Sequence, residues 1–151
     1  MPDSIVIRKK IKKFTKKIEI SGDKSISIRW VLLSSLVKGI STAKNLLISE
    51  DVMAAINTIK KLGIKVKINK KLCKVKGYGV HGYKYKKNIV IDAKNSGTLG
   101  RLILGLLVNT SEPIKMIGDN SLSRRDFQRV SKPLSKFGAK FKLKKIKTYH
   151  L

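Results

Sequence analysis

The stretch Lys61-Leu62-Gly63-Ile64-Lys65-Val66-Lys67-Ile68 recurs in pattern 75 residues later as Lys136-Phe137-Gly138-Ala139-Lys140-Phe141-Lys142-Leu143. Each copy reads as the last turn of a helix, a glycine in the C-terminal stop position, and a strand with lysine at alternate residues. Nearly the same offset relates the elements upstream. One pair of helices begins near residues 49 and 124, and an earlier pair near 24 and 98. The sequence therefore reads as two units of similar length, about 21–80 and 88–151, each strand, helix, strand, helix, strand, with a hairpin partner strand closing the first. The second copy reaches Leu151 where its last strand should form, so a chain cut short is expected.

The elements between these anchors follow from periodicity. Residues 25–37 carry Ile28, Val31, Leu32 and Leu36 on one helical face. Ser49 is the expected N-cap of the next helix, with Glu50 and Asp51 in its first turn, where the dipole favours acids. Its apolar face is Val52, Ala55, Ile56, Ile59 and Leu62, and Gly63 ends it. Residues 98–108 predict a third helix through Leu99, Leu102, Ile103 and Leu106. Residues 124–137 predict a fourth through Phe127, Val130, Leu134 and Phe137, with Pro133 marking a kink or a start. Strands are expected near 43–48, 64–68, 72–76, 88–92, 114–118 and 139–143, with a hairpin turn at Asn69-Lys70-Lys71.

Composition narrows the function. The chain has 151 residues, 42% of them hydrophobic, enough for a packed core and against intrinsic disorder. The single Cys73 excludes an intramolecular disulfide framework and a multi-cysteine metal site, and His81 and His150 have no partners at metal-ligand spacing. The apolar run 102–108 is broken by Gly105 and is too short to span a bilayer, and no signal-peptide pattern follows the basic N-terminus. The expectation is a soluble, cytoplasmic protein with no membrane partner.

The charge is the strongest compositional signal: 35 Lys+Arg against 9 Asp+Glu, a formal net charge of +26. Clustered cations suggest nucleic acid, because they gain affinity by displacing phosphate counterions. Against that, 29 of the cations are lysine and six are arginine, whereas base reading and bidentate phosphate clamps favour arginine. Lysines that alternate with apolar residues describe the solvated face of half-buried strands, and no aromatic ladder accompanies them for base stacking. Two readings stand: a solvated lysine surface, or a field that attracts anionic small molecules. A small basic nucleic-acid-binding module is the alternative function.

Three polar clusters lie at turns leading into helices. The first is Gly22-Asp23-Lys24-Ser25-Ile26-Ser27-Ile28-Arg29. A glycine turn followed by Lys and Ser at a helix start offers free backbone N–H groups, a cation and a hydroxyl, which suit a phosphate or carboxylate. Arg29 lies four residues beyond Ser25, on the same helix face. The order of residues is not that of a P-loop. The second cluster is Asn95-Ser96-Gly97-Thr98 with Arg101; Gly97 permits close backbone approach, and Arg101 serves either the site or nearby carbonyls. The third is Gly118-Asp119-Asn120-Ser121-Leu122-Ser123-Arg124-Arg125, where adjacent arginines diverge on a helix so that one of the two faces the site. Three anion-ready helix starts at one end of the domain point to a multiply anionic substrate.

These three clusters, in this order and spacing, resemble the successive signatures of the EPSP synthase family, from about residue 18 onward. Asn45-Leu46-Leu47-Ile48-Ser49-Glu50-Asp51-Val52 also looks like the family's second strand and helix, and Lys-Ser-Ile-Ser-x-Arg argues against the related UDP-GlcNAc enolpyruvyl transferases. The resemblance implies an α/β (α+β) fold of repeated βαβαββ units in an inside-out α/β barrel, with about two of six units present here. It implies that residues 1–20 form a strand region pairing with a second domain, and that 21–151 are an incomplete N-terminal domain. It further implies enolpyruvyl transfer from phosphoenolpyruvate to the 5-hydroxyl of shikimate 3-phosphate, by a full-length monomeric enzyme that binds no nucleic acid. By motif match Lys24, Ser25 and Arg29 would meet shikimate 3-phosphate. Lys24, Gly97 and Arg125 would meet phosphoenolpyruvate, with Asp51, Asn95, Thr98 and Arg101 shaping the wall. The resemblance implies no metal or organic cofactor, and it places the family's proton acceptor outside this chain, which alone is expected to be inactive. Ser21, Ile28, Gly100 and Asp126 depart from the family pattern; Gly100 replaces a larger residue and Asp126 a proline.

Overall fold

The computed structural model describes residues 6, 8–10, 12–69, 72–110 and 112–143. Helix α1, Lys24–Ser34, starts where Asp23 accepts the N–H of Ile26 at 2.7 Å. Strand β1, Lys38–Lys44, leads to α2, Glu50–Lys61, capped by Ser49 as expected. Then follow β2, Lys65–Asn69; β3, Leu72–Tyr78; β4, Val90–Asp92; α3, Gly97–Leu106; and β5, Lys115–Ile117. Two helices close the order: the single turn α4, Asn120–Ser123, and α5, Gln128–Lys136.

The duplicated stretch is realised at both helix ends. Past α2, Gly63 (φ +89°) donates to Lys60 and Ile64 donates to Ile59, each at 3.0 Å. Past α5, Gly138 (φ +93°) donates to Ser135 and Ala139 to Leu134, at 3.0 and 3.3 Å. These are the paired bonds of a Schellman cap, in which the left-handed residue is most cheaply glycine. The two copies therefore share a stop mechanism as well as a sequence pattern.

Two sheets lie against a helical centre. One has the order β1-β3-β2, antiparallel throughout; the other is the parallel pair β4-β5. Helix α1 packs on α2, α3 and β3, and α2 also meets β2, β4 and α3. Ile28, Val31, Val52, Ala55, Ile56, Ile59, Leu99 and Ile103, all from these helices, are fully buried, as are Cys73, Val75 and Ile91 from the strands. Helices inside and sheets outside is the order the resemblance implies. Along β3, Cys73, Val75 and Gly77 point in while Lys74, Lys76 and Tyr78 point out. Lys65 and Lys67 of β2 are exposed directly opposite Lys76 and Lys74, so these lysines form a solvated face. Burial raises the Cys73 thiol pKa against a smaller opposing effect of Lys60. Alkylation of Cys73 in the native chain should run more than about a hundredfold slower than in denaturant. Equal rates would mean that this core does not form.

Four expectations are corrected. The strand placed at 43–48 is β1, several residues earlier, because β1 pairs along its whole length with β3 and Asn45 then turns left-handed at φ +57°. The helix placed at 124–137 is interrupted: Arg124 ends α4, and Asp126 accepts the N–H of Gln128 at 2.7 Å to start α5, with Pro133 inside it. Leu102 and Phe137, expected in the core, are 36% and 88% exposed. Residues 139–143 form no strand, since no partner strand lies beside them among the described residues, whereas β2 has β3. Residues 12–20, whose expected strand partner is a second domain, carry no strand here and expose Phe14, Ile18 and Ile20. The turn residues Lys70 and Lys71, residues 1–5, 7, 11 and 111, and the segment 144–151 with His150 lie outside the described residues.

Candidate functional site

The first cluster is positioned by close backbone contact. A Cβ on Gly22 would lie 2.3 Å from the carbonyl oxygen of Asn45, so only glycine lets the turn before α1 meet the turn before α2. Asn45 Nδ2 donates to the Ile20 carbonyl, and Leu47 N–H donates to Ser27 Oγ, each at 3.1 Å. These contacts bring two helix starts side by side. Lys24, exposed in the first turn of α1, sets its Nζ 3.1 Å from Asp51 Oδ2 in the first turn of α2. Arg29 reaches back one turn to the Ser25 carbonyl at 3.0 Å, on the face its spacing predicts. The Ser25 hydroxyl has no hydrogen-bond partner among the described residues.

The second and third clusters join at the start of α3. Ser96 caps that helix by accepting the Leu99 N–H. Arg125 donates from Nη2 to Asn95 Oδ1 at 2.7 Å and lies 3.5 Å from Ser121 Oγ. Its Nη1 stands 2.5 Å from the point a Cβ of residue 97 would occupy, and Arg101 Nη1 stands 3.1 Å from the same point. Two guanidinium groups thus converge over the bare Cα of Gly97, within about 6 Å of each other, close enough that their repulsion favours an anion between them. Arg124 is exposed at the end of α4, so Arg125 is the member of the pair that turns inward. Asp126 spends its carboxylate on the start of α5. Thr98 is half-buried in the first turn of α3.

An acidic–basic pair precedes α3. Lys94, left-handed at φ +51°, bonds Asp92 at 2.9 Å. That hydrogen bond is the main reason the Asp92 carboxyl lies below its usual range and the Lys94 ammonium above its own. Glu50, beside Asp51, adds a smaller attraction that also raises Lys94. Asn95, Arg101 and Arg125 thus join the second and third clusters around Gly97, and Lys24 with Asp51 joins the starts of α1 and α2. The first group offers Lys24 and Arg29, and the second Arg101 and Arg125, beside helix starts that suit anionic groups. Lys94 was not singled out in the sequence, since a lone lysine carries no periodic signal, and Phe127 was read only as part of an apolar helix face.

An open pocket of about 430 Å³ lies at the other end of α3, lined by Ile103, Leu107, Met116 and Phe141 together with Glu112 and Lys140. It does not coincide with the cationic site. Among the described residues no group of three His, Cys, Asp or Glu could hold a metal ion, and no helix is long and apolar enough to cross a membrane.

Comparison with known proteins agrees on one family. Residues 8–150 match the sequence profile described as EPSP synthase (3-phosphoshikimate 1-carboxyvinyltransferase). A 3-phosphoshikimate 1-carboxyvinyltransferase of Streptococcus suis is 40% identical over 134 residues, covering 89% of this chain and 31% of the relative. One from Sulfurihydrogenibium is 39% identical over 132 residues, covering 87% and 30%. A solved EPSP synthase from Acinetobacter baumannii superposes with a TM-score of 0.74 at 31% identity, covering 83% of this chain and 28% of that one. The chain spans about a third of the length of the curated relatives it matches.

Proposed function

This chain belongs to the EPSP synthase family, and we propose that its joined helix starts serve enolpyruvyl transfer from phosphoenolpyruvate to shikimate 3-phosphate. The observation that carries the reading is the convergence of Arg125 and Arg101 over Gly97, in a chain whose α1 and α2 starts also bring Lys24 to Asp51. Each substrate bears a phosphate and a carboxylate, so a cationic cleft both binds them and steadies the charge that develops during reaction.

In this reading Ser25 and Arg29 hold shikimate 3-phosphate, and Arg125 with the backbone of Gly97 holds the phosphate of phosphoenolpyruvate. Lys24 stands between them and meets both. Asp51 keeps Lys24 oriented until substrate arrives, and Asn95 does the same for Arg125. Thr98 and Arg101 complete the wall. The 5-hydroxyl oxygen adds to C2 of phosphoenolpyruvate while C3 takes a proton, giving a tetrahedral intermediate. Loss of a C3 proton with departure of phosphate then restores the double bond. The proton acceptor is assigned to a part of the enzyme outside these residues, as the family resemblance implies. Residues 21–151 would form two βαβαββ-type units of one domain, with 1–20 pairing elsewhere in a monomeric cytoplasmic enzyme.

The test uses two proteins. The 151-residue chain alone should release no phosphate from the two substrates together. The same residues exchanged for the matching segment of the Streptococcus suis relative should give phosphate release that requires both substrates. A folded but inactive exchange protein would reject the proposal. So would salt-dependent nucleic-acid binding in which Lys24 and Arg125 matter no more than other cations.

A further inference from the structure

The two arginines over Gly97 are held in different ways. Arg125 is tethered by Asn95 and Ser121. Arg101 has neither a hydrogen bond nor an ion pair among the described residues, and its Nε is buried without a partner. Its guanidinium faces the ring of Phe127, with Cζ 5.9 Å from the ring centroid, at the outer reach of a cation–π contact. The ring in turn fits onto α3 because residue 100 has no side chain: a Cβ there would lie 3.2 Å from both Cε1 and Cζ of Phe127. The segment between α4 and α5 that delivers Phe127 is fixed at both ends, by Arg125 N–H to Leu122 and by Asp126 to Gln128.

From this geometry we propose that Phe127, seated on the bare Cα of Gly100, is the positioning residue that aims the Arg101 guanidinium at the anion site over Gly97. The proposal rests on the reading that this site takes the phosphate of phosphoenolpyruvate. It also gives Gly100 a reason. The glycine costs α3 about 1 kcal/mol of helix propensity against alanine, and the space it leaves is filled by an aromatic ring that supports a cation. A free arginine side chain samples many rotamers; one resting on a ring face presents its fork in a narrow range, so less freedom is lost when an anion binds.

The test reads Arg101 directly in the 151-residue protein. The Nε–H NMR signal of Arg101 should be displaced by the ring current and show restricted motion. Both features should persist in Phe127→Tyr, disappear in Phe127→Leu, and weaken in Gly100→Ala, where the ring is pushed outward. In the exchange protein the KM for phosphoenolpyruvate should rise about two- to fivefold in Phe127→Leu and stay unchanged in Phe127→Tyr. Thermal unfolding of each variant separates this from loss of fold. An Arg101 signal that is mobile in the parent protein, or unaltered by Phe127→Leu, overturns the positioning role. A phosphoenolpyruvate KM that stays unchanged in Phe127→Leu of the exchange protein, with the NMR contrast intact, rejects the substrate reading and leaves the Phe127–Arg101 contact standing.

Discussion

Lys24→Ala, made in the exchange protein that carries residues 1–151 in place of the matching segment of the Streptococcus suis relative, is expected to lower kcat/KM by about a thousandfold while leaving the fold intact. The two effects separate because they rest on different interactions. The lysine is exposed and its ion pair with Asp51 is a surface contact, so its loss costs about 0–1 kcal/mol of stability at most. In a closed site between two anionic substrates the same ammonium would act in a low dielectric on charge that develops at the reacting carbon. Single groups in that role are worth about 3–4 kcal/mol. Lys24→Arg keeps the charge but changes the reach, and should recover only part of the activity. Near-normal kinetics in Lys24→Ala, in a protein whose melting point is unchanged, would remove Lys24 from the site.

Much of this geometry was legible before any coordinates. Local chemistry is short-range, so the cap at Ser49 and the stops at Gly63 and Gly138 follow directly from residue type and spacing, while the caps at Asp23 and Ser96 emerge only from the structure. The cationic clusters were legible from residue type and spacing as well. Register and pairing were harder. Lys38–Lys44 does not alternate cleanly, and only its partner β3 fixes where β1 begins. The 139–143 segment alternates well but has no neighbour to complete its ladder. The break at 124–127 turns on a single aspartate competing with helical periodicity, and the contact between Phe127 and Gly100 joins two helices that periodicity treats separately. Tertiary packing decides such positions, and composition does not encode it.

Gly97→Ala carries the second large effect, and its sign depends on what gives way. The added methyl would stand 2.5 Å from Arg125 Nη1 and 3.1 Å from Arg101 Nη1, distances that neither can keep. What it meets are the far ends of two flexible side chains, not backbone, so the arginines withdraw and the helix stays. Alanine in place of glycine even favours α3 by up to about 1 kcal/mol, which makes a stable folded variant the expected product. The loss falls on the anion. Both guanidinium groups retreat from the point where the phosphate of phosphoenolpyruvate would sit, and the methyl blocks approach to the backbone N–H groups at the start of α3. In the exchange protein the KM for phosphoenolpyruvate should rise roughly tenfold or more, the loss of about one charge-assisted hydrogen bond, while the KM for shikimate 3-phosphate changes little. An equal rise in both constants would point to a general disturbance of the cleft. No rise in either would mean that the cations over Gly97 serve the fold and not the substrate.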